Sequence, residues 1–172
     1  MSGSVIILSG PVGAGKTTVA QELTTLLPAP IARIEGDVFW SFIAKPGARP
    51  RRENFMLIMR AMTAASVPFV RTGHRVILDF SVPPQFLRVA RIILKDAPID
   101  FVVVRPDLAV CETRAAARKD GTIGDYRPYR ELYALFDEAE RHTVGEDEAD
   151  TPAAIAVQIR NGLAAGKFRV TD

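Results

Sequence analysis

A three-layer α/β fold built on a five-stranded parallel sheet is the architecture this sequence predicts, and three observations predict it. Short aliphatic runs alternate with amphipathic helical patterns along the chain. The first run, Val5 to Leu8, leads without a gap into a glycine-rich turn and a helix start. The 172 residues, 48% of them hydrophobic, suit one compact domain spanning 1–172, with no room for a second large one. Strands that alternate with helices are joined by crossovers, which gives a parallel sheet covered on both faces.

The elements follow in chain order. Strands are predicted at Ser4–Ser9, Ile31–Ile34, Val76–Phe80, Asp100–Arg105 and Thr143–Gly145. Helices are predicted near 16–27, 52–71, 84–95, 107–119, 129–142 and 153–164, where apolar residues recur at three- and four-residue spacing; the first carries Val19, Leu23, Leu26 and Leu27. Gly73 reads as the C-terminal cap of the second helix, Asp107 as the N-cap of the fourth, and Thr151-Pro152 as a cap and first-turn proline opening the last. Phe55, Met59 and Met62 repeat at helical spacing and are expected in the core. No internal repeat, low-complexity tract or linker interrupts the pattern.

Composition excludes several functions. The 22 basic and 20 acidic residues leave a net charge of +2, so no dedicated nucleic-acid surface is expected. A lone Cys111 excludes an internal disulfide and a multi-cysteine metal site, and reads as a buried helical thiol. No stretch reaches the roughly 18 consecutive apolar residues of a membrane span. A strand begins by residue 5 with no basic leader before it, so a cytoplasmic monomer or homodimer with no membrane partner is expected.

The turn after the first strand reads Gly10-Pro11-Val12-Gly13-Ala14-Gly15-Lys16-Thr17-Thr18, a Gly-x-x-x-x-Gly-Lys-Thr phosphate-binding P-loop in its required strand-to-helix context. Gly10, Gly13 and Gly15 let the backbone turn tightly and bring N–H groups to phosphate oxygens. Ala14, Lys16, Thr17 and Thr18 complete the nucleotide site. Lys16 supplies charge to the β and γ phosphates, and the Thr17 hydroxyl is a Mg²⁺ ligand. The positive end of the following helix faces the same anion.

With a P-loop after strand one, ligands collect at the carboxyl ends of the strands. Asp37 stands just past the second strand, and Asp79 ends the third in Val76-Ile77-Leu78-Asp79. Asp37 is a candidate for chemistry, with a helix cap before Val38-Phe39-Trp40 as the alternative. Asp79 reads as a Walker B carboxylate that orders Mg²⁺, with a cap or turn before Pro83-Pro84 as the alternative. Arg114 and Arg118 are four apart, so on one helix they share a face and reach the same anion, where arginines stabilise charge on a transferring phosphoryl group. Two solvated helix arginines would explain the same letters. The polar, glycine-bearing 119–127 stretch follows them.

These residues together carry a family resemblance. The chain resembles the small P-loop kinases of the nucleoside-monophosphate-kinase-like group, which includes shikimate kinase, gluconate kinase, adenylylsulfate kinase and chloramphenicol phosphotransferase. The likeness spans nearly the whole chain: the P-loop at residue 10, an aspartate after strand two, Thr72-Gly73-His74 before strand three, and an arginine-bearing segment after strand four. It implies that 119–127 is a lid whose arginines contact ATP phosphates and the adenine face. It also implies that 38–68 is a short insert holding the second substrate. That insert contains Phe39, Trp40, Phe42, Lys45, Arg49, Arg51, Arg52 and Arg60, which suits a polar or anionic acceptor with an apolar face and equally suits a solvated charge run beside core aromatics. Asp79-Phe80-Ser81 stands where shikimate kinase has a Gly-Gly pair, whereas an aspartate followed by aromatics after strand two looks more like chloramphenicol phosphotransferase.

The expectation is an ATP-dependent phosphotransferase that moves the γ-phosphate to a hydroxyl of a small-molecule acceptor. Lys16, Asp37 and Arg118 are its expected catalytic residues, Arg114 joins Arg118 at the nucleotide, and Thr17 and Asp79 hold Mg²⁺. Asp37 is the acceptor-orienting group and general base. The alternatives are an NTPase or nucleotide-dependent switch without a small-molecule acceptor, and a nucleotide-binding toxin-like or regulatory protein whose partner is macromolecular.

Overall fold

The structure is a computed structural model that describes residues 3–45, 47–48, 50–118, 121–145 and 150–171. Its centre is β1 (Ser4–Ser9), whose residues from Val5 onward are buried. Beside it lie β3 (Arg75–Asp79) and β4 (Ile99–Val104), flanked by β2 (Ile31–Glu35) and β5 (Thr143–Val144), in the order β2-β3-β1-β4-β5 with every pair parallel. The predicted fold class and all five strands are present, with ends shifted by about one residue.

Side chains on a strand point alternately to its two faces, and β1 divides the core accordingly. Val5 and Ile7 face a layer with Ile58, Met59 and Met62 from α2 (Arg51–Arg71) and Ala90 from α3 (Leu87–Leu94). Ile6 and Leu8 face the opposite layer, with Val19 and Leu23 from α1 (Lys16–Leu26) and Ile155 and Ile159 from α6 (Pro152–Ala164). The helical spacing of Met59 and Met62 thus marks core, as expected, and Phe55 packs at its margin, its ring 5.0 Å from that of Phe80.

The end signals divide. Gly73 closes α2 at φ 86°, with the His74 N–H returning to the Phe69 carbonyl. Thr151 caps α6 by accepting from the Ala154 N–H at 3.2 Å. Asp107 stands at the N-cap of α4 (Leu108–Ala116), but its side chain makes no cap bond.

Three helical expectations are corrected. The 84–95 helix begins as a 3₁₀ turn, Pro84–Phe86, before α3. The 107–119 helix ends at Ala116, and Lys119 and Asp120 lie outside the described residues. The 129–142 helix is two pieces, α5 (Arg127–Ala134) and a 3₁₀ segment Asp137–His142. Phe136, Ala139 and His142 are buried. Ala139, at φ −104° and ψ 19°, departs from helical geometry, so the second piece is kinked there.

The sheet has one addition that strand patterns did not predict. β5 pairs only with Val103 and Val104, and the segment after α6 covers the remaining edge of β4 in antiparallel sense. The Phe101 N–H donates to the Phe168 carbonyl at 2.9 Å, the Val170 N–H to the Ile99 carbonyl at 3.0 Å, and Arg169 pairs with Asp100 at 3.0 Å. Among the described residues, no helix is long and apolar enough to cross a membrane.

Candidate active site

Gly10 to Thr18 form a loop wrapped around the end of β1. A Cβ on Gly10 would stand 2.1 Å from the Val104 carbonyl oxygen, and one on Gly13 would stand 2.2 Å from that of Cys111. These two glycines therefore let the loop dock on β4 and α4, so their freedom serves protein packing as well as phosphate approach. Ala14 is buried and its N–H donates to the Pro11 carbonyl at 3.3 Å. Gly15, left-handed at the N-cap of α1, has only Arg114 Nη1 near its open side, at 3.8 Å. Thr18 is exposed on the first turn of α1.

Lys16 Nζ donates to the Pro11 carbonyl at 2.9 Å, so the ammonium rests on its own loop. Burial lowers its proton affinity to about 8, opposed by the charges of Asp79 and then Asp37 and reinforced by Arg118. At neutral pH it remains a cation. Those three partners come from β3, the segment after β2 and the segment after α4, so the lysine marks where separate parts of the chain meet.

Asp79 ends β3 with 3% of its surface exposed. Burial raises its proton affinity, the Lys16 charge and a hydrogen bond with Thr17 pull it back, and Glu35 pushes it up further. Its Oδ2 has no hydrogen-bond partner. A buried unpaired carboxylate oxygen is costly. Beside a threonine hydroxyl, it fits a hard divalent cation that takes few protein oxygens and completes its shell with phosphate and water. Among the described residues no cluster of three His, Cys, Asp or Glu side chains could hold a metal.

Asp37 lies exposed inside the first turn of a 3₁₀ segment, Gly36–Phe42, whose N-cap position is Glu35. The cap alternative is therefore not realised. Arg118 is not on the same helical face as Arg114, because α4 stops at Ala116. Arg114 Nη1 lies on the open side of Gly15, and the Arg118 charge lowers the proton affinity of Lys16. The shared helical face expected of the two arginines is not realised.

In the 38–68 insert the Arg51 guanidinium stacks 5.1 Å over the Trp40 ring, and the Phe39 and Phe42 rings are 5.1 Å apart. Phe42 is 69% exposed. Lys45, Arg52 and Arg60 are also exposed, and Arg49 lies outside the described residues. Of the 119–127 stretch, residues 121–127 are described; Ile123 is tied to α4 by its N–H to the Ala115 carbonyl at 3.1 Å, and Tyr126 is buried. Cys111 is a buried helical thiol whose proton affinity burial raises to about 11, which makes it a poor nucleophile.

Two residues beside the site were missed from sequence. Glu35 lies opposite Asp79 in the β2–β3 register, and Arg33 pairs with Glu35 at 3.3 Å while donating to the Thr17 carbonyl at 3.4 Å. The signal was present in Ile31-Ala32-Arg33-Ile34-Glu35, where two charges two apart share one strand face.

A parallel β2-β3-β1-β4-β5 sheet with this loop and a buried strand-end aspartate defines a P-loop kinase fold. Solved structures of that kind superpose along nearly the full length. A tunicamycin resistance protein from Deinococcus radiodurans shares 18% identity at a TM-score of 0.69, covering 99% of both chains. A sugar kinase from a Janibacter species shares 17% at 0.67, also covering 99% of both. The APS kinase of Mycobacterium tuberculosis, solved with AMPPNP and APS, shares 18% at 0.66, covering 95% of this chain and 98% of its own. No curated protein sequence matches. The family model described as chloramphenicol phosphotransferase-like protein matches residues 3–154, and the chain belongs to that family. It is a P-loop phosphotransferase.

Proposed function

We propose that the protein transfers the γ-phosphate of ATP to a hydroxyl of a small-molecule acceptor. The observation that carries this reading is Asp79, in register with Leu8 just before the phosphate loop and with its Oδ2 buried and unpartnered; the charges of Asp79, Asp37 and Arg118 all act on Lys16. A phosphoryl-transfer site needs a phosphate-binding cation, a cation-ordering carboxylate, a group to orient the acceptor and an arginine for the charge of the transition state. Those four roles fall to these four side chains.

An acceptor hydroxyl bonded to the exposed Asp37 carboxylate is oriented toward the phosphate held by Lys16. Its oxygen forms the new bond to the γ-phosphorus as the bond to the β–γ bridging oxygen breaks; ADP leaves, and the hydroxyl proton passes to Asp37. Phosphoryl transfer is loose, so orientation contributes more than proton removal. Arg114 and Arg118 contact the nucleotide, and Arg118 answers the charge that develops in transfer. Mg²⁺ held by Thr17 and Asp79 would neutralise phosphate charge. The Arg51-stacked Trp40, the exposed Phe42 and the surrounding cations support an acceptor with an apolar face and a polar or anionic group.

An ADP-release screen with Mg²⁺·ATP against small alcohols, sugars, nucleosides and antibiotics tests the reading. The expected result is ADP formation stimulated by one acceptor class, with phosphate recovered on its hydroxyl. Lys16-dependent hydrolysis that no acceptor stimulates would instead establish an NTPase or switch.

A further inference from the structure

Tyr126 lies far along the chain from the P-loop, yet its hydroxyl donates to the Val12 carbonyl at 2.6 Å. The ring is buried in the layer that contains Cys111 and Ala115, with Val12 and Ile123 at its margin. Burial pushes the phenol well above its ordinary proton affinity, so it stays a donor throughout the physiological range. Its place in the chain is as telling as its bond. Tyr126 follows residues 121–125 of the lid and directly precedes α5.

A trans peptide is planar, with its carbonyl and its N–H on opposite edges. Holding the Val12 carbonyl therefore fixes the direction of the Gly13 N–H in the same plane. Gly13 is itself seated against the Cys111 carbonyl, where a Cβ would come within 2.2 Å. The loop is thus held both by α4, at Gly13, and by the Tyr126 hydroxyl, at Val12. Ile123, bonded to Ala115 at 3.1 Å, ties the lid to the same helix.

We propose that Tyr126 is a positioning residue for the phosphate-binding loop: its hydroxyl fixes the Val12–Gly13 peptide and couples that peptide's orientation to the lid. The inference rests on the nucleotide-binding reading of the loop. Preorganised amides cost no reordering when phosphate arrives, so losing the clamp weakens nucleotide binding without removing any group that touches the nucleotide.

Titration calorimetry with Mg²⁺·AMPPNP on wild type, Tyr126→Phe and Tyr129→Phe is the test. Phenylalanine keeps the buried ring and deletes only the donor, while Tyr129, whose ring is 5.6 Å from that of Tyr126, is the control. Tyr126→Phe is expected to bind about five- to tenfold more weakly, the worth of one hydrogen bond, while Tyr129→Phe binds like wild type. The KM for ATP should rise by the same factor with kcat little changed, a split that loss of folded protein does not produce. Equal affinity of Tyr126→Phe and wild type overturns the proposal. Failure of wild type to bind would instead remove the nucleotide reading itself. Should Tyr126→Phe not fold, amide exchange on wild type decides: slowing at both Gly13 and 123–126 on adding AMPPNP supports the coupling, and slowing at the loop alone overturns it.

Discussion

The hydroxyl of Thr17, in the first turn of α1, acts on the carboxyl of Asp79, the last residue of β3, and lowers a proton affinity that burial raises. The pair joins the P-loop to the neighbouring strand and leaves Asp79 Oδ2 buried without a partner. Thr17 and Asp79 are the proposed Mg²⁺ ligands. Asp79→Asn keeps the volume and removes the charge, so half-saturation of the nucleotide reaction by Mg²⁺ is expected to require on the order of 10–100 times more metal. A Mg²⁺ titration of ADP formation measures this, and an unchanged midpoint would exclude Asp79 from the cation site.

Lys16 makes stability depend on pH. Its proton affinity is about 8 in the folded chain against an ordinary 10.5. Between those values the unfolded chain holds more protons, so stability rises with pH there, and the cost of the buried ammonium is fully present below about pH 8. Lys16→Met removes this effect. The stability advantage of Lys16→Met over wild type is therefore expected to be flat up to about pH 8 and then to shrink toward pH 10.5, by at most about 1.4 kcal/mol per pH unit. Urea unfolding of both proteins across that window measures the difference.

Asp37→Asn is expected to leave nucleotide affinity and the folded state intact. The side chain is exposed, past the N-cap position, and lies outside the core. Once an acceptor is known, its phosphorylation should fall by on the order of 10²–10⁴. Transfer at the wild-type rate would move the base role elsewhere, with Asp79 the first candidate.

Phe168 anchors the tail that completes the edge of β4. Its ring is fully buried against Gly162, where a Cβ would come within 2.3 Å of it. Phe168→Ala should cost about 3–5 kcal/mol of stability, a large share of the roughly 5–15 kcal/mol that a domain has. Thermal and urea unfolding measure the loss. The KM for ATP should stay unchanged at temperatures where the variant is folded, because Phe168 lies on the start of β4 and the P-loop docks on its end.

The parts legible in the sequence were those governed by local rules. Aliphatic runs such as Val5 to Leu8 can only be buried strands when a glycine turn and an amphipathic helix follow them, and the spacing of Gly10, Gly15 and Lys16 is that of a phosphate loop. Met59 and Met62 declared a core face by period alone. Where local pattern and tertiary packing competed, packing won. The 129–142 pattern broke into α5 and a segment kinked at Ala139, where Phe136, Ala139 and His142 are all buried.

By itself, then, the sequence determined the fold class, the phosphate loop and the strand-end carboxylates, because side-chain period and turn chemistry act over a few residues. The tertiary structure alone decided which distant groups meet. It set Arg114 beside Gly15, set Glu35 opposite Asp79, carried the Tyr126 hydroxyl to Val12, and closed the β4 edge with Phe168. Such contacts are fixed by strand order and helix docking, and sheet register leaves no trace in the spacing of residues along the chain.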